Sequence, residues 1–177
     1  MYIWVGIDVD SQLSEIREKV HSAEEIIDFV HSNLTLPFHI SLKISFFVPE
    51  EKVDAVMADI LTIYKKTEPF SVEVRQIDWE ETIVWISMKR NKQLDALHDV
   101  LNEMLLEKYS VPLHPYDIDY QFHTTLFMDD DREKNGKGYE MVKDIPLPDK
   151  LQANRFVIGI SQSGSLGSFS IVQEVVK

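Results

Sequence analysis

The 177 residues carry 30 carboxylates against 18 lysines and arginines, a formal net charge of −12, and no cysteine. The acidic balance excludes a non-specific binder of long nucleic acid, which needs a basic surface, and the missing cysteines exclude disulfides, thiolate nucleophiles and cysteine-ligated metals. A chain this long buries on the order of 70% of its unfolded surface without staples, so one domain over residues 1–177 is expected. With no basic leader and no apolar run of membrane-spanning length, it is expected in the cytoplasm, without a membrane partner.

In chain order, Tyr2 to Val9 predicts a strand with Ile3, Val5, Ile7 and Val9 on one face and Tyr2, Trp4, Gly6 and Asp8 on the other. Asp10 or Ser11 can cap the helix that follows. Its stripe runs through Leu13, Ile16, Val20, Ala23, Ile27, Val30 and Leu34 in steps of three and four. After Pro37 the stretch FHISLKISF alternates: Phe38, Ile40, Leu42, Ile44 and Phe46 against His39, Ser41, Lys43 and Ser45. That period of two predicts a strand with one buried face and one carrying an imidazole, two hydroxyls and an ammonium.

Pro49 with Glu50 and Glu51 predicts a helix start, and the helix runs to about Tyr64. Phe70 to Ile77 and Thr82 to Met88 read as strands around an acidic turn. Asn91 opens a helix carrying Leu94, Leu97, Val100, Leu101, Met104 and Leu105, and Pro112 and Pro115 place a loop after it. Tyr120 to Met128 is a second alternating strand, with His123 and Thr125 on one face. The run DDDREKNGKG reads as a surface loop, and Arg155 to Ser161 with Phe169 to Val175 as a final hairpin turned by Gly164 to Gly167. His21, His31 and His98 fall on predicted helices and read as surface residues.

Two related halves emerge, each a strand with a tryptophan, a helix, then a histidine strand. Trp4 to His39 spans 35 positions and Trp85 to His123 spans 38, a difference of one short loop. Residues i and i+2 on a strand share a face roughly 6–7 Å apart. An imidazole can therefore exchange a proton while the neighbouring hydroxyl donates to a phosphoryl oxygen. Two imidazoles on opposite sides of one phosphorus supply base and acid for phosphodiester cleavage without a metal or other cofactor; which one is the base is left open. Ser41, Thr125 and Lys43 are placed to stabilise charge on the non-bridging oxygens. Trp4, Trp85 and Phe127 fall on the cleft-facing parity, and Tyr116 precedes the second strand; each is a candidate for stacking on a nucleobase. His114, Asp117 and Asp119 lack metal-ligand spacing, so no metal site is expected.

The pair HISL and HTTL resembles the double H-x-[ST]-hydrophobic signature of the two-histidine (2H) phosphoesterase superfamily, which includes bacterial RNA 2′,3′-cyclic phosphodiesterases, also called 2′-5′ RNA ligases. The order of elements is similar along nearly the whole chain, although Phe38 and Phe122 stand where many members have proline. The resemblance implies a bilobal α+β fold from a duplicated unit, with two mainly antiparallel sheets framing a central cleft and helices outside. It implies His39 and His123 as the catalytic pair and Ser41 and Thr125 as phosphate-binding hydroxyls, with Lys43 an addition found in part of the family. The expected substrate is a cyclic or 2′-5′-linked nucleotide or RNA-end phosphodiester, acted on by a monomer. The alternative from another class is a catalytically silent nucleotide-binding module that keeps the cleft.

Overall fold

A computed structural model of the chain describes residues 1–22, 36–165 and 167–177. Among the described residues eight strands form two antiparallel sheets. The first contains β1 (Tyr2–Asp8), β2 (His39–Phe47), β7 (Arg155–Ser161) and β8 (Ser170–Val176) in the order β2-β1-β7-β8. The second contains β3 (Phe70–Glu80), β4 (Ile83–Met88), β5 (His123–Met128) and β6 (Lys150–Ala153) in the order β5-β4-β3-β6. Each histidine strand is thus the edge of its sheet, and β2 and β5 lie against each other where the sheets meet.

Among the described residues four α-helices cover the outside: α1 (Ser14–Ser22), α2 (Val53–Lys66), α3 (Lys92–Tyr109) and α4 (Arg132–Val142). Leu13, Ile16 and Val20 start the stripe read from the sequence; its continuation through Ala23, Ile27, Val30 and Leu34, like His31, lies outside the described residues. Asp10 does not cap α1. Its Oδ1 accepts the Phe38 backbone N–H (2.8 Å) and pairs with Arg17 (2.6 Å), so it fixes the start of β2. On α2, Val56, Ile60 and Tyr64 are buried, and the Tyr64 ring packs on Phe156 of the first sheet at 5.1 Å. None of the helices among the described residues is long and apolar enough to cross a membrane.

The buried stripe of α3 is Leu94, Leu97, His98, Leu101, Asn102 and Leu105. His98 is therefore a core residue, contrary to the surface position read from the sequence, while Val100 faces water. The steps of three and four place both polar residues on the buried face. Asn91 caps the helix as expected, accepting from the N–H groups of Gln93 and Leu94.

The run after Met128 is a helix, not a loop. Asn135, Gly136 and Gly138 have weak helix propensity, and tertiary contacts override it. Asp131 caps α4 by accepting from Glu133 and Lys134, and the buried Asn135 Nδ2 donates to the Glu81 and Asp129 carbonyls. A Cβ on Gly136 would sit 3.2 Å from the Trp79 ring, which stacks on Tyr139. The short strand β6, which follows the Pro146–Pro148 segment, extends the second sheet. The final hairpin forms as read, with Gly164 and Gly167 at φ of 73° and 75°, where glycine carries no steric cost.

Pairing registers correct the alignment of the two halves. Asp8 and Gly6 face His39 and Ser41 across the first ladder, and Ser87 and Trp85 face His123 and Thr125 across the second. The position equivalent to Trp85 is therefore Gly6, not Trp4.

Candidate active site

His39 and His123 are held in the same way. Each is the first residue of its strand, and each ring Nδ1 lies 2.7 Å from the carbonyl two residues earlier, Pro37 for His39 and Gln121 for His123. A carbonyl only accepts, so Nδ1 carries the hydrogen and Nε2 is left for proton exchange. Each ring also has a tryptophan beside it: Trp4 edge-on at 4.4 Å from His39, and Trp85 at 6.0 Å from His123.

Phenylalanine in front of each histidine is built into this arrangement. Phe38 keeps an N–H that proline would lack, and Asp10 accepts it. The Arg17 guanidinium lies over the Phe38 ring, 4.7 Å from its centroid. Phe122 accepts from the Met88 N–H through its carbonyl (3.1 Å) and packs edge-on against His98 and Tyr120.

The partly buried His39 is pushed down to about 4, chiefly by desolvation; the Pro37 carbonyl opposes this, while the His123 and Arg17 charges add to it. The His123 charge is thus felt at His39, whose strand lies against that of His123. Burial also lowers His123, against the Gln121 carbonyl.

The hydroxyls lie near the histidines. Ser41 Oγ accepts from Trp4 Nε1 (2.9 Å), which leaves its own hydrogen for another acceptor. Thr125, like Ser41, is half-buried, two residues after its histidine.

Trp4 is not an open stacking platform: it is 5% exposed and lies flat across Gly6 and Gly159. A Cβ at Gly6 would come within 2.5 Å of the indole, and one at Gly159 within 2.9 Å. Two glycines on neighbouring strands thus make the bed in which Trp4 holds Ser41 and His39.

Phe127, read as cleft-facing, is wholly buried. The β4–β5 register slips by one residue between Val84 and Trp85, and such a bulge turns the following side chain to the other face. Trp85 and the exposed Tyr116 do line a cavity of about 310 Å³ with His123, Ile44, Ile83 and Ile118.

Lys43 does not project freely into the cleft. Two register slips between β1 and β2 break the alternation read from the sequence, and Lys43 is 1% exposed. Its Nζ lies 2.5 Å from Asp117 Oδ2. The same carboxylate accepts from the His114 N–H (2.8 Å), and its Oδ1 is 3.7 Å from His98 Nε2. Burial alone would raise the Asp117 carboxyl, but the Lys43 ammonium and the His114 and Ile44 N–H groups hold it below the usual carboxylate range. The ion pair clamps the Pro115–Asp117 turn, which carries Tyr116, onto β2. The Tyr120 ring stacks on His98 at 4.9 Å and its hydroxyl lies beside Ser41, so the network extends to the Ser41 hydroxyl. Sequence reading missed Asp117, His98 and Tyr120 because nothing local marks a carboxylate in a loop as the partner of a lysine 74 positions away. Among the described residues no cluster of three or more His, Asp or Glu side chains is placed to hold a metal ion.

The sequence pattern of the 2′-5′ RNA ligase superfamily matches residues 14–160. A protein of Oceanobacillus iheyensis named Putative phosphoesterase OB1230 is 30% identical over 71 residues, which cover 38% of this chain and 42% of that protein. The fold is shared with TT0787 of Thermus thermophilus (TM-score 0.60, 15% identity, 99% of this chain and 97% of that one). It is also shared with E. coli LigT in its apo form (TM-score 0.59, 16% identity, 98% of this chain and 95% of that one). LigT has also been solved with phosphate and with 3′-AMP.

Proposed function

The chain belongs to the 2′-5′ RNA ligase superfamily, a group of 2H phosphoesterases, and on that premise we propose that it hydrolyses a 2′,3′-cyclic or 2′-5′-linked phosphodiester of a nucleotide or RNA end without a metal. The observation that carries this reading is the matched anchoring of His39 and His123, each Nδ1–H on the carbonyl two residues earlier, on adjoining strands. That LigT, which shares the fold, has been solved with phosphate and with 3′-AMP supports a nucleotide phosphate as ligand.

His39, held neutral at working pH, takes a proton from water through Nε2 as the water attacks phosphorus. His123 in its protonated form gives a proton to the ribose oxygen that leaves. Water is added across one P–O bond, and the protons exchange between the two rings through solvent. Ser41 and Thr125 donate to the non-bridging oxygens, the Ser41 hydrogen not being used by its bond from Trp4. Trp85 and Tyr116 flank the cavity beside His123, where a nucleobase can lie between aromatic faces.

The test is turnover of nucleoside 2′,3′-cyclic phosphates and 2′-5′ dinucleotides in EDTA across pH. In the free enzyme the base must be neutral and the acid charged. kcat/KM should therefore fall below about pH 4 as His39 protonates, and fall again on the alkaline side as His123 loses its proton, at a pH below 6.5. A bell centred on the acid side of 6.5 and indifferent to EDTA is the expected result. Abolition by EDTA, or binding without turnover of either substrate class, overturns it; the latter favours a silent nucleotide-binding module.

A further inference from the structure

A second depression adjoins the cavity beside His123. The segment Asp119–Gln121 forms the ridge between them, lining both. On the far side is a groove of about 540 Å³ in which Arg75, Lys89 and Arg90 converge around Met88. Three cations against one carboxylate, Asp119, in the lining stand out in a chain of net charge −12.

Backbone pairing explains the convergence. Ser87 faces His123 across the β4–β5 ladder, and the Met88 N–H donates to the Phe122 carbonyl. Lys89 and Arg90 then run beside the backbone that leads into the histidine, and Arg90 Nη1 reaches the Tyr120 carbonyl at 3.5 Å. Arg75 arrives from β3. Val74 pairs with Met88 and Gln76 with Ser87, so Arg75 is the extra residue of a bulge, a device that re-aims a side chain. It is exposed and makes no ion pair among the described residues. Lys89 pairs with Glu73, and Arg90 with Asp95 and Asp119. Such exposed pairs contribute little, and a phosphate that accepts two guanidinium bonds can displace them. Gln121 is two residues from His123, so the groove begins roughly 6–7 Å along the chain from the reacting site.

We propose that this groove binds the backbone phosphates of single-stranded RNA continuing from the reacting end, so that the preferred substrate is an oligonucleotide rather than a mononucleotide. This rests on the phosphodiesterase reading of the His39–His123 site but is tested apart from it. A labelled RNA hexamer ending in a 3′-phosphate is titrated by fluorescence anisotropy with wild type, Arg75→Ala and Lys89→Ala at several salt concentrations. Each substitution is expected to weaken binding roughly tenfold and to shrink the slope of log K against log salt by about 0.7 per lost phosphate contact. In parallel, the ratio of kcat/KM for the hexamer with a terminal 2′,3′-cyclic phosphate to that for the mononucleotide should fall by a similar factor. Wild-type affinity and salt slope in both variants overturn the groove assignment. If wild type binds RNA with these losses in the variants but cleaves no phosphodiester, the groove stands and the proposed chemistry fails. If it cleaves both substrates in a ratio that neither variant changes, the chemistry stands and the groove falls.

Discussion

Asp117→Ala should cost about 3–5 kcal/mol of folding stability, because it leaves the Lys43 ammonium buried and unpaired. Against a typical total of about 5–15 kcal/mol, this should lower the thermal midpoint by about 6–20 °C. The substitution also frees the His114 N–H and the turn that carries Tyr116. Asp117→Asn should recover little, since an amide keeps an acceptor but not the charge. Lys43→Met combined with Asp117→Leu should restore most of the loss, because replacing both partners removes the uncompensated charge. Thermal and urea unfolding of the two single variants and the double variant measure this. Single variants as stable as wild type would show that the ammonium is not committed to Asp117. Lys43 would then be available to the substrate phosphate, as the strand alternation alone suggests.

His39→Ala and His123→Ala should each lower kcat by about 10²- to 10⁴-fold, the usual contribution of a positioned acid or base, with far less effect on KM. In the proposed mechanism the two rings act on one event, so the double variant should lose little more than the worse single one. The pH profile separates their roles. His39→Ala should remove the fall on the acid side, and His123→Ala the fall on the alkaline side. Imidazole in solution should restore part of the activity to either variant. Additive losses with an unchanged profile would mean that the histidines position the substrate and that other groups move the protons.

Much of this was legible in the chain because it rests on local periodicity. The alternation around His39 and His123, the Pro49–Glu51 helix start, the Asn91 cap and the closing hairpin each declare themselves within a few residues. What was hidden depends on pairing between distant segments. Register slips sent Lys43 inward and buried Phe127, and no pattern within one strand reveals where its neighbour slips. The helix Arg132–Val142 contradicts its own glycines and is held by Asn135 and Trp79. Trp4 was visible as an aromatic on the cleft side, but its role depends on Gly6 and Gly159, the latter on a strand reached only after most of the chain.

The central claim is that the two histidines sit on either side of a single phosphate. NMR titration of the wild type with a nucleoside 2′-monophosphate, following both imidazole rings across pH, tests it most directly. Both rings should shift with one common dissociation constant, and both should bind protons more tightly when the anion is present. A phosphate that moves only one ring, or moves the two with different affinities, would contradict the account.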